Sequence, residues 1–480
     1  ASRGLGDVYK RQMVFSSAVF LFLFLPVVIL LHTVIKNNKI RNGLLIAASL
    51  IFYAYGEPVY IALLIGSVAV NYVFGRILSA RKSKALLAVS IIINIGLLVV
   101  FKYTGFIVQI INFIPVCNFK VPDITMPIGI SFYTFQAISY IVDVYRKEER
   151  EDVGFFDVLL YISLFPQLIA GPIVKFNSIK DSIKSRNVTL DGLAHGIREF
   201  IIGLSKKMLL ANSFAYVADS VFSMNTSAID MRLAWLGAVC YTLQIFFDFS
   251  GYSDMALGLG SMMGFDFPQN FNYPYTACSV RDFWRRWHMS LTSWFREYLY
   301  IPLGGNRRGP GRKILNTMIV FICTGIWHGA NFTFLIWGIL HGVFMCIETI
   351  VTKDKKDAGK HFNALAYIYT MLVVIIGFVI FRADSTGYAF SYIGRMFSFT
   401  SLSSSFTVFM GFLTPVFIVT AIAGIIACTP VVPYISAAVK DRKLRTFLNG
   451  LSYVAVGAIL VLCIMGLAAD SYNPFIYFRF

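Results

Sequence analysis

Apolar stretches of membrane-spanning length recur from one end of this chain to the other, and that pattern restricts its fold more than anything else. A helix needs roughly 17 to 25 apolar residues to cross a hydrocarbon core about 30 Å thick, and in lipid only helices and closed barrels satisfy their own backbone. Residues 14–35, 58–78, 85–101, 127–145, 155–174, 235–249, 314–327, 332–351, 365–381, 406–428 and 451–467 meet or approach that length. The shorter ones are expected to be tilted, or broken and buried against neighbours. Composition agrees, since 57% of the 480 residues are hydrophobic and 14% charged, against about 45–50% and about 25% in a soluble globule. An all-α polytopic membrane protein is expected.

A net charge of +17 would suit nucleic acid, but the cations sit in short loops between apolar stretches. Membrane topology accounts for them instead. If 14–35 crosses once, Lys36, Lys39 and Arg41 lie on one side, and successive hairpins return Arg81, Lys82, Lys84, Arg146, Lys147 and Arg150 to it. The positive-inside rule makes that side the cytoplasm and places the N-terminus outside. No nucleic-acid partner is expected. The seven cysteines are scattered, without disulfide or metal-ligand spacing, and read as small packing residues; no metal site is expected. Residues 1–12, ASRGLGDVYKRQ, are polar and unlike the apolar run that begins after Met13, and DVYKRQ is what a common sequencing adapter would encode. They are expected to be a non-native leader, with 13–480 one membrane domain.

Ionisable residues at membrane depth are costly and mark cavities or chemistry. Of the six histidines, His361 follows a charged loop, His32 ends the first apolar stretch where an interfacial place is expected, and His195 lies on an amphipathic segment, 190–222. His341 fits a helix-packing hydrogen bond as well as an active-site role. His288 and His328 stand in strongly apolar, aromatic surroundings, RDFWRRWHMSLTSWFREYLYIPLGGN and TGIWHGANFTFLIWGILHG. A neutral imidazole can take a proton from a hydroxyl and return it, as acyl transfer requires. No G-x-S-x-G elbow or reactive-cysteine signature supplies a covalent nucleophile, so direct base-assisted transfer at His328 fits, as does a helix–helix hydrogen bond. Segment 280–300 mixes Arg281, Arg285, Arg286 and Arg296 with aromatics, suiting a helix anchored at the headgroups or a path for an anionic donor. The glycine-rich turn 304–311 lacks the spacing of a phosphate-cradling loop.

MPIGISFYTFQAISYIVDVYR (126–146), LFPQLIAGPI (164–173), QIFFDFSGYSDMALGLG (244–260), GFDFPQNFNYPY (264–275), FWRRWHMSLTSWFREYLYIPLGGNRR (283–308) and GIWHGANFTFLIWGILHG (325–342) together resemble the membrane-bound O-acyltransferase superfamily, in its bacterial alginate O-acetyltransferase branch. The resemblance covers essentially all of 13–480. It implies a funnel-like fold of about ten to twelve transmembrane helices plus re-entrant and interfacial ones, with a catalytic core over about 125–345. It further implies a multi-pass enzyme of the bacterial plasma membrane that passes an acetyl group from a cytoplasmic donor, acetyl-CoA, to an exopolysaccharide such as alginate. No permanently bound cofactor is implied; an extracytoplasmic SGNH-type partner is. By similarity His328 is the general base and His288 supports donor or acceptor positioning; within the Arg-rich segment 280–300, Arg285 and Arg286 are the candidate donor contacts.

The aromatic tail NPFIYFRF (473–480) would suit interfacial anchoring, but FIYFRF is similar to a tail on acyl-carrier partners and some members of this branch, whose tyrosine is proposed to hold the acyl group. Here that residue is Tyr477. A phenol of pKa about 10 leaves more readily than a sugar alcohol, and a thiol near about 8.5 more readily still, so a relay from thioester through tyrosyl ester to sugar ester runs downhill. Peptidoglycan O-acetylation and teichoic-acid D-alanylation would use the same machinery. A transporter or flippase fits the composition alone, though no internal repeat is evident.

Overall fold

The computed structural model describes residues 13–147, 153–307, 309–352, 362–469 and 475–476, and every regular element among them is helical. Residues 1–12, expected to be a leader, lie outside the described residues. Among the described residues six helices are long and apolar enough to cross a bilayer, namely Ile61–Ala80, Lys84–Ile111, Met231–Met262, Phe332–Val351, Ala364–Arg382 and Arg442–Ala468. Ser403–Phe412 and Pro415–Ala427 add a seventh if their 72° bend is counted within one span. Pro415 causes that bend, because it has no N–H and drives Thr414 into extended backbone (ψ 155°). The chain is a multi-pass all-α membrane protein. Its other apolar stretches are shorter or more polar helices; the first, for example, contributes Phe20–Val34.

The chain clusters into two compact units, one running through residue 200 and including 252–268, the other comprising 201–251 and 269 onward. In the first, Phe15, Phe20, Phe24, Phe52 and Phe165 form an aromatic cluster with ring centroids 5.0–6.5 Å apart. Asn71 and Asn94 exchange two amide hydrogen bonds, at 3.0 and 2.8 Å, joining the Ile61–Ala80 and Lys84–Leu98 helices. Such pairs tie helices together where water offers no alternative partner. His32 is fully buried rather than interfacial, and its Nε2 accepts from the Arg186 guanidinium at 3.4 Å.

In the second unit, the helices Pro310–His328 and Phe332–Val351 form an antiparallel pair joined by residues 329–331. Gly325 and Gly338 set how closely they approach. A Cβ at Gly325 would lie 2.4 Å from the Phe334 carbonyl oxygen, and one at Gly338 would lie 2.5 Å from that of Phe321. Only hydrogen fits at either crossing point.

Segment 280–300 is broken three ways, into Val280–Arg286, Met289–Phe295 and a wider π-turn Arg296–Tyr300. Its aromatics face inward, with Phe283, Trp284, Trp287 and Trp294 all buried. Glu348, buried on the Phe332–Val351 helix, caps Val280–Arg286 by accepting the backbone N–H groups of Val280 (2.7 Å) and Arg281 (2.9 Å). A carboxylate is favourable there because the first amides of a helix have no partner within it.

Candidate active site

His328 is the last residue of Pro310–His328 and is 6% exposed. Helix Phe332–Val351, brought close by the glycine crossing, presents Trp337 to it, with centroids 5.1 Å apart and planes at 88°. Trp327 (5.0 Å) and Phe381 (5.1 Å) complete an aromatic box around the imidazole. That box excludes water, which raises the weight of any charge developing inside it.

His288 occupies the break between Val280–Arg286 and Met289–Phe295, and its backbone is left-handed (φ 46°, ψ 52°). Few residues without a glycine's freedom adopt that conformation, and such positions concentrate at functional sites. Two backbone hydrogen bonds clasp the turn, Asn272 N–H to Arg286 O and Met289 N–H to Asn270 O, both at 2.9 Å. The His288 ring is buried edge-on to Phe249 (4.6 Å), and its Nδ1 lies 3.0 Å from Asn270 Oδ1. Burial pushes its pKa down from 6.5 to about 3, so the ring is neutral at physiological pH. Trp327 is common to both histidines, its ring centroid 6.2 Å from His288 and 5.0 Å from His328.

The same unit holds a cavity of about 550 Å³, lined by Arg281, Arg285, Arg296 and Lys313 together with Trp284, Thr317, Phe321 and Thr324; neither histidine lines it. Lys313, Thr317, Phe321 and Thr324 recur at helical spacing on the Pro310–His328 helix, and His328 is the next residue on that stripe, four beyond Thr324. The cavity wall on this helix ends at Thr324, and the same helix face continues to His328, about 22 Å from Lys313 by helical rise. Arg286 is not part of that wall, because its Nε donates to Asp282 (2.9 Å) and its Nη1 to Thr276 (3.4 Å). Of the two arginines named from the sequence, Arg285 alone lines the cavity.

The end of the chain reaches the same unit. Phe475 and Ile476 are buried at 4% and 2% exposure, Ile476 N–H donates to Asp248 at 2.5 Å, and Phe475 packs 6.2 Å from Phe249, the ring that meets His288. Tyr477 lies outside the described residues, as does His361. His341 is buried between Trp284 and Trp337, and its Nδ1 accepts from the Trp284 indole N–H at 3.4 Å, which is a helix-packing contact. His195 is exposed beside Glu199. Among the described residues no group of three His, Cys, Asp or Glu could hold a metal ion. Asn270, Asp248 and Lys207 were not singled out from the sequence, since their partners are 18 to 228 residues away and no spacing rule connects them.

The model of the membrane-bound O-acyltransferase family, MBOAT, matches residues 143–390. The chain is 39% identical to the probable alginate O-acetylase AlgI of Pseudomonas putida, over 98% of this chain and all of that protein. It is 36% identical to the peptidoglycan O-acetyltransferase of Helicobacter pylori, over 78% of this chain and 77% of that protein. To the teichoic acid D-alanyltransferase of Bacillus subtilis it is 30% identical, over 53% of this chain and 68% of that protein.

Proposed function

This chain belongs to the membrane-bound O-acyltransferase family, and on that premise we propose that it moves an acetyl group from cytoplasmic acetyl-CoA across the bacterial plasma membrane for O-acetylation of an extracellular polysaccharide. The observation that carries this is the single stripe joining the cationic cavity to His328. Arg281, Arg285, Arg296 and Lys313 suit the phosphates of a nucleotide-linked thioester, since guanidinium groups pair bidentately with phosphate and lysine adds a point charge. The thioester arm would then lie along Thr317, Phe321 and Thr324 toward the box.

At the far end His328 takes the proton of the acceptor hydroxyl as its oxygen attacks the acetyl carbonyl. A C–O bond forms, the C–S bond breaks, and the proton passes to the departing thiolate, leaving His328 neutral. His288, neutral by burial, supports the positioning of the acceptor from the other side of Trp327. Tyr477 is the proposed first acceptor. The docking of Phe475 and Ile476 beside Phe249 supports it, because Tyr477 is the next residue. An SGNH-type extracytoplasmic partner would then carry the acetyl group to the glycan. Length and coverage favour an alginate-like exopolysaccharide over peptidoglycan or teichoic acid as the acceptor, since the alginate O-acetylase aligns over its whole length.

The test is base-labile acetate released from the envelope glycans of cells expressing the chain with its partner, wild type against well-expressed His328→Ala. Acetate lost in the variant supports His328-dependent O-acetylation. Equal acetate removes His328 as the base, and esterified D-alanine in place of acetate would favour the D-alanyl reading.

A further inference from the structure

Three groups converge on the side-chain oxygen of Asn270. The Ser290 backbone N–H lies 3.3 Å from it, the Ser290 hydroxyl 2.9 Å, and His288 Nδ1 3.0 Å. A backbone amide can only donate, so the atom it meets on Asn270 must be the carbonyl oxygen and not the amide nitrogen. That oxygen can only accept. His288 Nδ1 must therefore carry the proton, and in a neutral imidazole this leaves the lone pair on Nε2.

We propose that Asn270 is a positioning residue that fixes His288 in the tautomer whose Nε2 is the basic nitrogen. The assignment rests on His288 acting in the proposed acetyl transfer. The surrounding backbone makes the arrangement rigid, because Asn270 O also accepts the Met289 N–H and Asn272 N–H reaches Arg286 O. One residue thus holds the left-handed turn by its backbone and sets the ring's protonation pattern by its side chain. Orientation of an imidazole by a partner on its second nitrogen governs what the first can do, and losing such a partner costs about tenfold to hundredfold where the histidine binds a metal, a guide to the scale expected here.

The experiment measures coenzyme A released from acetyl-CoA by membrane vesicles carrying the chain with its extracytoplasmic partner and glycan acceptor, above vesicles lacking the chain, across pH. Asn270→Leu removes the acceptor and should lower kcat about tenfold to hundredfold with little change in KM for acetyl-CoA. Asn270→Asp keeps an oxygen acceptor and should retain transfer to within a few-fold. Its added charge favours the imidazolium, so the acid limb of the pH profile should move to higher pH. Ser290→Ala shares the oxygen but not the ring and should leave the profile in place. The proposal is overturned if Asn270→Leu is fully active, if Asn270→Asp is as impaired as Asn270→Leu, or if the Asn270→Asp acid limb does not move. The last comparison holds even if Asn270→Leu fails to fold. His288→Gln separates the underlying reading: full release by it removes His288 from the chemistry, whereas loss in His288→Gln with a normal Asn270→Leu overturns only the positioning role. No release by wild type would overturn the acetyl-CoA reading itself.

Discussion

The ammonium of Lys207 lies 2.5 Å from the carboxylate of Asp248, and both side chains are buried. Lys207 sits in a π-turn, Lys206–Ala211, and Asp248 also receives the Ile476 N–H. Stranding one charge of a buried pair costs about 3–5 kcal/mol, whereas replacing both with apolar groups is often neutral. Asp248→Leu should lower the thermal midpoint of the detergent-solubilised protein sharply, and the Lys207→Met/Asp248→Leu double variant should restore it. Because Ile476 still loses its acceptor, the double variant should remain defective in acetate transfer. Restored transfer would show that the tail contact is dispensable.

Gly325 and Gly338 set the distance between His328 and Trp337. A Cβ at either must displace backbone of the facing helix rather than a flexible side chain. Gly325→Ala should cost about 1–3 kcal/mol through overpacking and should lower acetate transfer by moving His328 in its box. Wild-type activity in a stably expressed Gly325→Ala protein would contradict this.

Arg285 lines the cavity, whereas Arg286 is held by Asp282 and Thr276. Arg285→Ala should raise KM for acetyl-CoA by about tenfold, corresponding to one charge-assisted contact of about 1.4 kcal/mol. Arg286→Ala should leave KM near wild type. Steady-state kinetics on membrane vesicles distinguish them, and the reverse order would move the donor away from this cavity.

Burial holds the His288 pKa at about 3, below its ordinary 6.5. The unfolded chain takes up a proton as pH falls through about 6.5, while the folded chain refuses it until about 3. Stability is therefore intact above that window and declines as pH drops through it. Thermal unfolding from about pH 7 to about pH 4 should show a steeper loss for wild type than for His288→Gln. Parallel curves would mean that His288 is not buried in the folded protein.

Tyr477→Phe removes only the hydroxyl. If Tyr477 relays the acetyl group, glycan acetate should fall to background while the protein level holds. Unchanged acetate would end the relay reading and leave the tail an anchor.

The helical membrane class was legible because hydrophobicity is additive along a chain, and the two central histidines stood out because apolar, aromatic runs surround them. Segment 280–300 was less legible. Its cations and aromatics pointed to a headgroup-facing helix ahead of a donor path, and nothing local foretold that His288 would break it with a left-handed turn. That turn depends on Asn270 and Asn272, whose contribution is a pair of backbone hydrogen bonds made across the fold. His32 misled for the same reason, as its guanidinium partner is 154 residues away.

By itself the sequence determined the solvent, the helical class and the family resemblance, and it singled out His288 and His328 as candidates, because each of these depends on residue type and short-range order. Tertiary structure decided which arginine lines the cavity, where the tail docks, and which nitrogen of His288 carries the proton. Those depend on hydrogen bonds and close approaches between residues distant in the chain, and these come into existence only when the helices pack.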